Sequence, residues 1–105
     1  LGGTVPYLAE RLDRGFYAFE DCRQHIDQPP STYLKRFYYD TVNFDSKAVQ
    51  LAIDFAGVSH VIAGSDYPHK IGSLRKMLDG IAGLSISDQA RADILGNNTA
   101  RLLGS

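Results

Sequence analysis

The sequence has one cysteine, one methionine and no tryptophan in 105 residues. A lone Cys22 closes no internal disulfide and cannot by itself build a structural zinc site, so a reducing, cytoplasmic setting is the default expectation. Neither sign of charge is in excess: eleven Lys and Arg stand against twelve Asp and Glu, a formal charge of -1. Without a basic field nothing pulls on a phosphate backbone or an anionic lipid surface, which argues against nucleic acid and membrane partners. Long apolar runs are missing too. The uncharged stretch containing Gly57–Ser65 is cut off at Asp66, well short of the ~20 residues a spanning helix needs. Repeats and low-complexity tracts are absent, which excludes solenoids and tethers. The chain opens on Leu1-Gly2-Gly3 and its only methionine is Met77, so the first residue reads as a cut end rather than a translation start.

What is present is a folded-chain composition, with 44% hydrophobic residues, enough for one small core. Thr4-Val5-Pro6 reads as a helix entry with Thr4 as N-cap, and the apolar spacing predicts a helix over about 5–14 that stops at Gly15. A long loop follows, with one short helical turn over Ser31–Lys35. Phe37–Val42 is aromatic and β-branched, as a strand requires. After an Asp45/Ser46 cap, Val49, Ala52, Ile53 and Ala56 fall at helical spacing, and Gly57 stands where a left-handed residue ends a helix. His60–Gly64 is a short apolar run, the pattern of a parallel strand covered on both faces. Strand, helix, strand predicts a βαβ unit. Leu74, Met77, Leu78 and Ile81 mark a further helix. Ser87 caps a short helix ending near Gly96, and Asn97/Asn98 cap a last one. The fold class is α/β, but two strands with several helices leave apolar sheet edges that nothing in the sequence covers.

Ligands of parallel α/β folds gather at the carboxyl ends of strands, where the outgoing loops converge. Gly64-Ser65-Asp66-Tyr67-Pro68-His69 brings a carboxylate, a hydroxyl, a phenol and an imidazole to such a place. Asp66 could hold a divalent ion or take a proton from metal-bound water; the same residue could equally cap the helix that follows. Asp40 has a similar position at the other strand, where capping a turn is the plainer role. His69 reads as a solvated loop residue, His25 and His60 as structural, and Phe37, Tyr38 and Tyr39 as core. Gly2-Gly3-Thr4 ahead of a helix offers backbone N–H groups to an anion, alone a weak pattern. Cys22 lacks the surroundings of a nucleophilic thiol, and Ser65 lacks the G-x-S-x-G elbow of a hydrolase serine.

Leu1-Gly2-Gly3-Thr4-Val5-Pro6-Tyr7, the Phe37-Tyr38-Tyr39-Asp40-Thr41 strand, Val61–His69 and Gly96-Asn97-Asn98-Thr99-Ala100-Arg101-Leu102-Leu103-Gly104 occur together in one order. In that order the chain resembles the C-terminal part of an amidohydrolase-related enzyme, in the branch of aminocarboxymuconate-semialdehyde and resorcylate decarboxylases. The resemblance implies a single partial domain over 1–105. It would be the C-terminal third of a (β/α)8 TIM-type barrel of roughly 250 residues or more, with the last two strands and their flanking helices. It also implies that Asp66, at the end of the last strand, is a catalytic residue and a ligand of a divalent metal, zinc being usual. The family's remaining ligands, an H-x-H and a later His, and a catalytic His just ahead of the Gly-Gly that is Gly2-Gly3 here, would lie upstream of Leu1.

The implied function is metal-dependent hydrolysis or decarboxylation of a small carboxylated or cyclic substrate by a parent enzyme that assembles as a homo-oligomer. The 105 residues alone are then expected to be inactive, because one carboxylate cannot hold zinc in a three-ligand catalytic arrangement. The opposing expectation is a non-catalytic folded fragment that self-associates, with Asp66 only a helix cap.

Overall fold

The two runs read as strands do pair in parallel around a crossover helix, but over only two residues each. In the computed structural model of the chain, which describes residues 1–105, β1 (Tyr39–Asp40) lies beside β2 (Val61–Ile62), with Tyr39 opposite Val61 and Asp40 opposite Ile62. The expected strands, Phe37–Val42 and His60–Gly64, are both longer. Phe37 and Tyr38 stay exposed ahead of the ladder, so of the three aromatics only Tyr39 joins the core. Beyond the ladder a side chain takes over from the main chain. Thr41 Oγ1 accepts from the Gly64 N–H at 3.1 Å and donates to the Gly64 carbonyl at 3.3 Å.

The crossover helix α3 (Ser46–Ala56) starts and stops where its residue types dictate. Asp45 Oδ1 accepts from the N–H groups of Lys47 and Ala48 at 2.9 and 3.2 Å, and Gly57 ends the helix at a φ of +86°. Its buried stripe of Val49, Ala52 and Ile53 meets Tyr39, Val61, Met77, Ile81, Leu84 and Ile94 in one cluster. Met77 and Ile81 come from α4 (Leu74–Ala82). Burying a side chain of this size contributes about 1.5–3 kcal/mol, so this cluster supplies most of what holds the two strands against their helices.

The N-terminal segment differs from its expected form. Helix α1 runs from Val5 to Ala18, through Gly15, and Thr4 makes no side-chain cap. Glycine costs a helix interior about 1 kcal/mol. Two contacts beyond it offset that: Phe16 is buried on the inner face, and the Arg23 guanidinium, from a single 3-10 turn over Glu20–Arg23, donates to the Phe16 carbonyl at 3.0 Å. The short helix α2 (Pro30–Leu34) is tied to α1 by Asp13, whose carboxylate accepts from the Ser31 N–H at 2.9 Å.

At the C-terminus the two expected helices are one. Helix α5 (Asp88–Ala92), capped by Ser87 as expected, passes through a widened π turn (Asp93–Asn97) into α6 (Asn98–Leu103) without a break at Gly96. Asn97 and Asn98 therefore cap nothing. The Asn98 side chain points inward, its Nδ2 donating to the carbonyls of Val58 and Val61 at 2.7 and 2.8 Å while Arg101 donates to its Oδ1. Within the π turn the Ile94 carbonyl accepts from the Ala63 N–H at 2.9 Å. The outer edge of β2, expected bare, is thus closed at Ala63 by a helix. The edge of β1 facing away from β2 pairs with no strand.

Only fourteen residues are buried, while Tyr7, Phe19, Tyr67, Ile71 and Leu103 are each more than 60% exposed. The radius of gyration is 15.3 Å, against about 13 Å for a compact domain of this length. The chain folds around a core without sealing it. No helix is long and apolar enough to cross a membrane.

Candidate functional site

Past β2 the chain leaves the sheet in a closed loop over Ser65–Ser73. The Ser73 N–H donates to the Ser65 carbonyl at 2.8 Å, and the His69 N–H to the Asp66 carbonyl at 2.9 Å. Gly72 makes the closure possible, because a Cβ there would sit 2.2 Å from the Asp66 carbonyl oxygen. The loop carries a cis Tyr67–Pro68 peptide. Asp66 itself adopts a φ of +55°. Left-handed backbone costs an L-residue roughly 1 kcal/mol, less for Asp than for most, and here the two closing hydrogen bonds hold it.

The half-buried Asp66 carboxylate accepts no hydrogen bond from the rest of the chain. Helix α4 is capped by Ser73, whose Oγ accepts from the Lys76 N–H at 3.1 Å. This overturns the capping role of Asp66: the helix starts eight residues further on and has its own cap. A carboxylate at a strand end with its lone pairs uncommitted is suited to a cation or a proton.

Asp40 ends β1, the strand beside the one that leads to Asp66. One of its oxygens, Oδ1, accepts from the Leu1 nitrogen and from the Val42 N–H, both at 2.8 Å. In the 105-residue chain, where Leu1 carries a free amine, burial pushes this carboxyl up, but the hydrogen bonds from Leu1 and Val42 and the positive charge of that amine outweigh it, leaving its pKa below the ordinary value. Its neighbour Tyr39 is shifted the other way, its phenol raised by burial, with its hydroxyl donating to the Leu34 carbonyl at 2.7 Å.

The other candidates do not gather at this rim. His69 is exposed on the loop. His60 stacks on Tyr38, ring centroids 4.9 Å apart, at the opposite ends of the strands. His25 and Cys22 are exposed near the 3-10 turn. No three His, Cys, Asp or Glu side chains converge anywhere, so the residues present offer Asp66 as one ligand and do not by themselves make a metal site. The broadest groove lies away from the rim, between α1 and the 3-10 turn, lined by Leu8, Leu12, Gly15, Phe19 and Cys22 with Arg11 and Arg14. It holds no carboxylate and no histidine, and nothing there suggests chemistry. Sequence reasoning missed Thr41, Ser73 and Asn98 as the groups that set the rim. Ser73 has a local signal, three residues before Lys76 at the head of an apolar stripe; the partners of Thr41 and Asn98 lie more than twenty residues away.

A family model described as Amidohydrolase matches residues 2–105. Two curated relatives carry the name 2-amino-3-carboxymuconate-6-semialdehyde decarboxylase. The protein from Dictyostelium discoideum is 28% identical over 106 residues, covering 98% of this chain and 29% of the relative; that from Caenorhabditis elegans is 28% identical over 105 residues, covering 97% and 26%. The chain therefore spans less than a third of the length of these relatives. Among solved structures, the dihydroxybenzoic acid decarboxylase of Polaromonas sp. JS666, crystallised with manganese and the inhibitor 2-nitroresorcinol, superposes with a TM-score of 0.83 at 24% identity, over 98% of this chain and 31% of that one. That likeness establishes a shared fold along nearly the whole chain.

Proposed function

This chain belongs to the amidohydrolase family, and on that premise we propose that it is the C-terminal third of a (β/α)8 barrel whose parent removes carbon dioxide from a small carboxylated substrate. The observation that carries the reading is Asp66: a half-buried carboxylate with no protein partner, at the carboxyl end of a parallel strand, held in left-handed backbone by a closed loop. The names of the two curated relatives support carbon dioxide release over the hydrolytic branch. The free edge of β1 and the expanded shape support a sheet continued by other strands.

In this reading Asp66 is one ligand of a divalent cation, the others coming from residues outside 1–105. Manganese in the Polaromonas enzyme supports a divalent ion; zinc, the ion expected from the sequence, is equally compatible with one carboxylate ligand. When bound, such an ion supplies Lewis-acid polarisation of the substrate. What this chain does is position: the Ser65–Ser73 loop fixes Asp66, and the Thr41 hydroxyl fixes the strand end from which the loop departs. The bond that breaks joins the substrate carbon to its carboxylate, carbon dioxide leaves, and the carbon keeps the electron pair until it is protonated.

A second reading has one observation in its favour. The exposed apolar side chains of α1, α4 and α6 favour self-association of the 105 residues when they stand alone. Its other half, Asp66 as a helix cap, fails against Ser73.

The test is the full-length protein with Asp66→Asn and Asp66→Ala, assayed for bound metal and for carbon dioxide released from carboxylated aromatic substrates. Both variants should lose metal and turnover together. Unchanged metal content, or a ring-opened product in place of carbon dioxide, overturns the proposal.

A further inference from the structure

Asp40, the last residue of β1, and Thr41 just beyond it hold the two chain segments on either side of them. The side chain of Asp40 reaches the Leu1 nitrogen and folds back onto the Val42 N–H, while Thr41, 1% exposed, bonds both the N–H and the carbonyl of Gly64. Gly64 is also pressed against the residues flanking Thr41, since a Cβ there would lie 3.2 Å from the Asp40 Cβ and 3.3 Å from a Val42 methyl. On the other side, Gly2 lies so close to the Tyr39 ring that a Cβ would approach it to 2.6 Å, with a φ of +68° that suits glycine. The segment entering α1 and the strand end leading to Asp66 are therefore both gauged through side chains, the first from Tyr39 and Asp40 within the ladder and the second from Thr41 just past its end.

We propose that Asp40 and Thr41 act as a clasp, positioning residues that set the spacing between the Leu1–Gly2 segment and the Gly64–Asp66 segment at the rim. The consequence for chemistry rests on the function proposed above; the clasp itself rests on the hydrogen bonds. Acceptor oxygen is what the Asp40 position needs, because both of its partners are N–H donors. At Thr41 it is a hydroxyl, because Gly64 presents one donor and one acceptor to it. Under the proposed function residues precede Leu1 and its nitrogen is a peptide N–H, so neither a charge at position 40 nor a methyl at position 41 is required for either job.

That distinction makes the clasp testable by conservative pairs in the full-length protein. Thr41→Val keeps the shape and removes the hydroxyl, and Thr41→Ser keeps the hydroxyl; Asp40→Ala removes the acceptor, and Asp40→Asn keeps one. Loss of one such bond should speed local opening about tenfold, read as amide hydrogen exchange at Gly64 for Thr41→Val and at Val42 for Asp40→Ala. Thr41→Ser and Asp40→Asn should restore protection. In turnover, Thr41→Val and Asp40→Ala should lower kcat about as much as they speed exchange, with KM little changed, and the conservative partners should recover it. Unchanged exchange at Gly64 in Thr41→Val overturns the clasp, as does an Asp40→Asn variant that behaves like Asp40→Ala. If the exchange pattern holds while no carboxylated substrate is turned over by the unmutated protein, the clasp stands and the proposed function is what fails.

Discussion

Of the fourteen buried residues, only Ala9 and Phe16 come from the first thirty-eight, and the nine-residue core cluster lies entirely between Tyr39 and Ile94. The two regions are built by different means. Residues 39–105 converge on two very short strands, closed by side chains acting across long sequence separations: Thr41 on Gly64, Asn98 on Val58 and Val61. Residues 1–38 hold together through helix-to-helix ties such as Asp13 on the Ser31 N–H and Arg23 on the Phe16 carbonyl, with Leu12, Tyr17 and Phe19 left in solvent. The comparison teaches where free energy is stored. Removing a group from the second region should be felt along the whole strand pair, whereas the first should absorb changes locally.

The largest effect that would bear this out is at Asn98. Replacing it with Ala strands the buried Val61 carbonyl and the partly buried Val58 carbonyl, and each unsatisfied group costs about 1–3 kcal/mol; Asn98→Ala should lower the urea unfolding free energy by about 3 kcal/mol. A loss below about 1 kcal/mol would erase the contrast between the regions. Next is Gly72→Ala, whose new methyl collides with the Asp66 carbonyl. It should destabilise by about 2 kcal/mol and weaken metal retention in the full-length protein, while Asp66→Ala leaves the helicity of α4 unchanged because Ser73 caps it.

A smaller effect is expected from acid. The folded pKa of Asp40 is lowered, so its contribution is complete above the ordinary carboxyl value and is lost as pH falls through the folded one, from about pH 4 downward. For the 105-residue chain, whose free Leu1 amine pairs with Asp40, the gap in unfolding midpoint between the unmutated chain and Asp40→Asn should narrow over that range and stay constant between pH 5 and 7. The smallest effect belongs to Phe19→Ser in the first region, expected within about 0.5 kcal/mol for the 105-residue chain. A cost above about 2 kcal/mol in the full-length protein would show that a neighbouring segment covers this face, and would sharpen the comparison into one between sealed and unsealed parts of a single barrel.

How much of this was legible depended on the reach of each interaction. Helix α3 could be placed to within a residue, because the Asp45/Ser46 pair at its head, of which Asp45 is the cap, and Gly57 at its tail are local signals. The strands could be located but not measured: an aromatic, β-branched run shows that a segment is extended, while where pairing stops depends on a hydroxyl across the sheet. Gly15 read as a stop because its cost is local, whereas the Phe16 and Arg23 contacts that outweigh it become visible only on folding. Asn98 misled for the same reason. Beside Asn97 it has the look of a cap, and only the position of Val58 and Val61, some forty residues earlier, turns it inward. Asp66 was found as a candidate from its neighbours, but that it does not cap the following helix is visible only with Ser73 in place.

The wide turn at Asp93–Asn97 has a consequence for how this helix tolerates change in length. Its Asn98 N–H reaches back five residues to the Asp93 carbonyl, so one surplus residue is stowed there while the stretches on both sides keep their phase. Deleting Gly96 would let ordinary winding resume, commit the Ile94 carbonyl to the amide four places on, and leave the Ala63 N–H with no acceptor. A single codon in a helix far along the chain thus sets whether the strand that ends four residues before Asp66 has a ragged margin or a finished one.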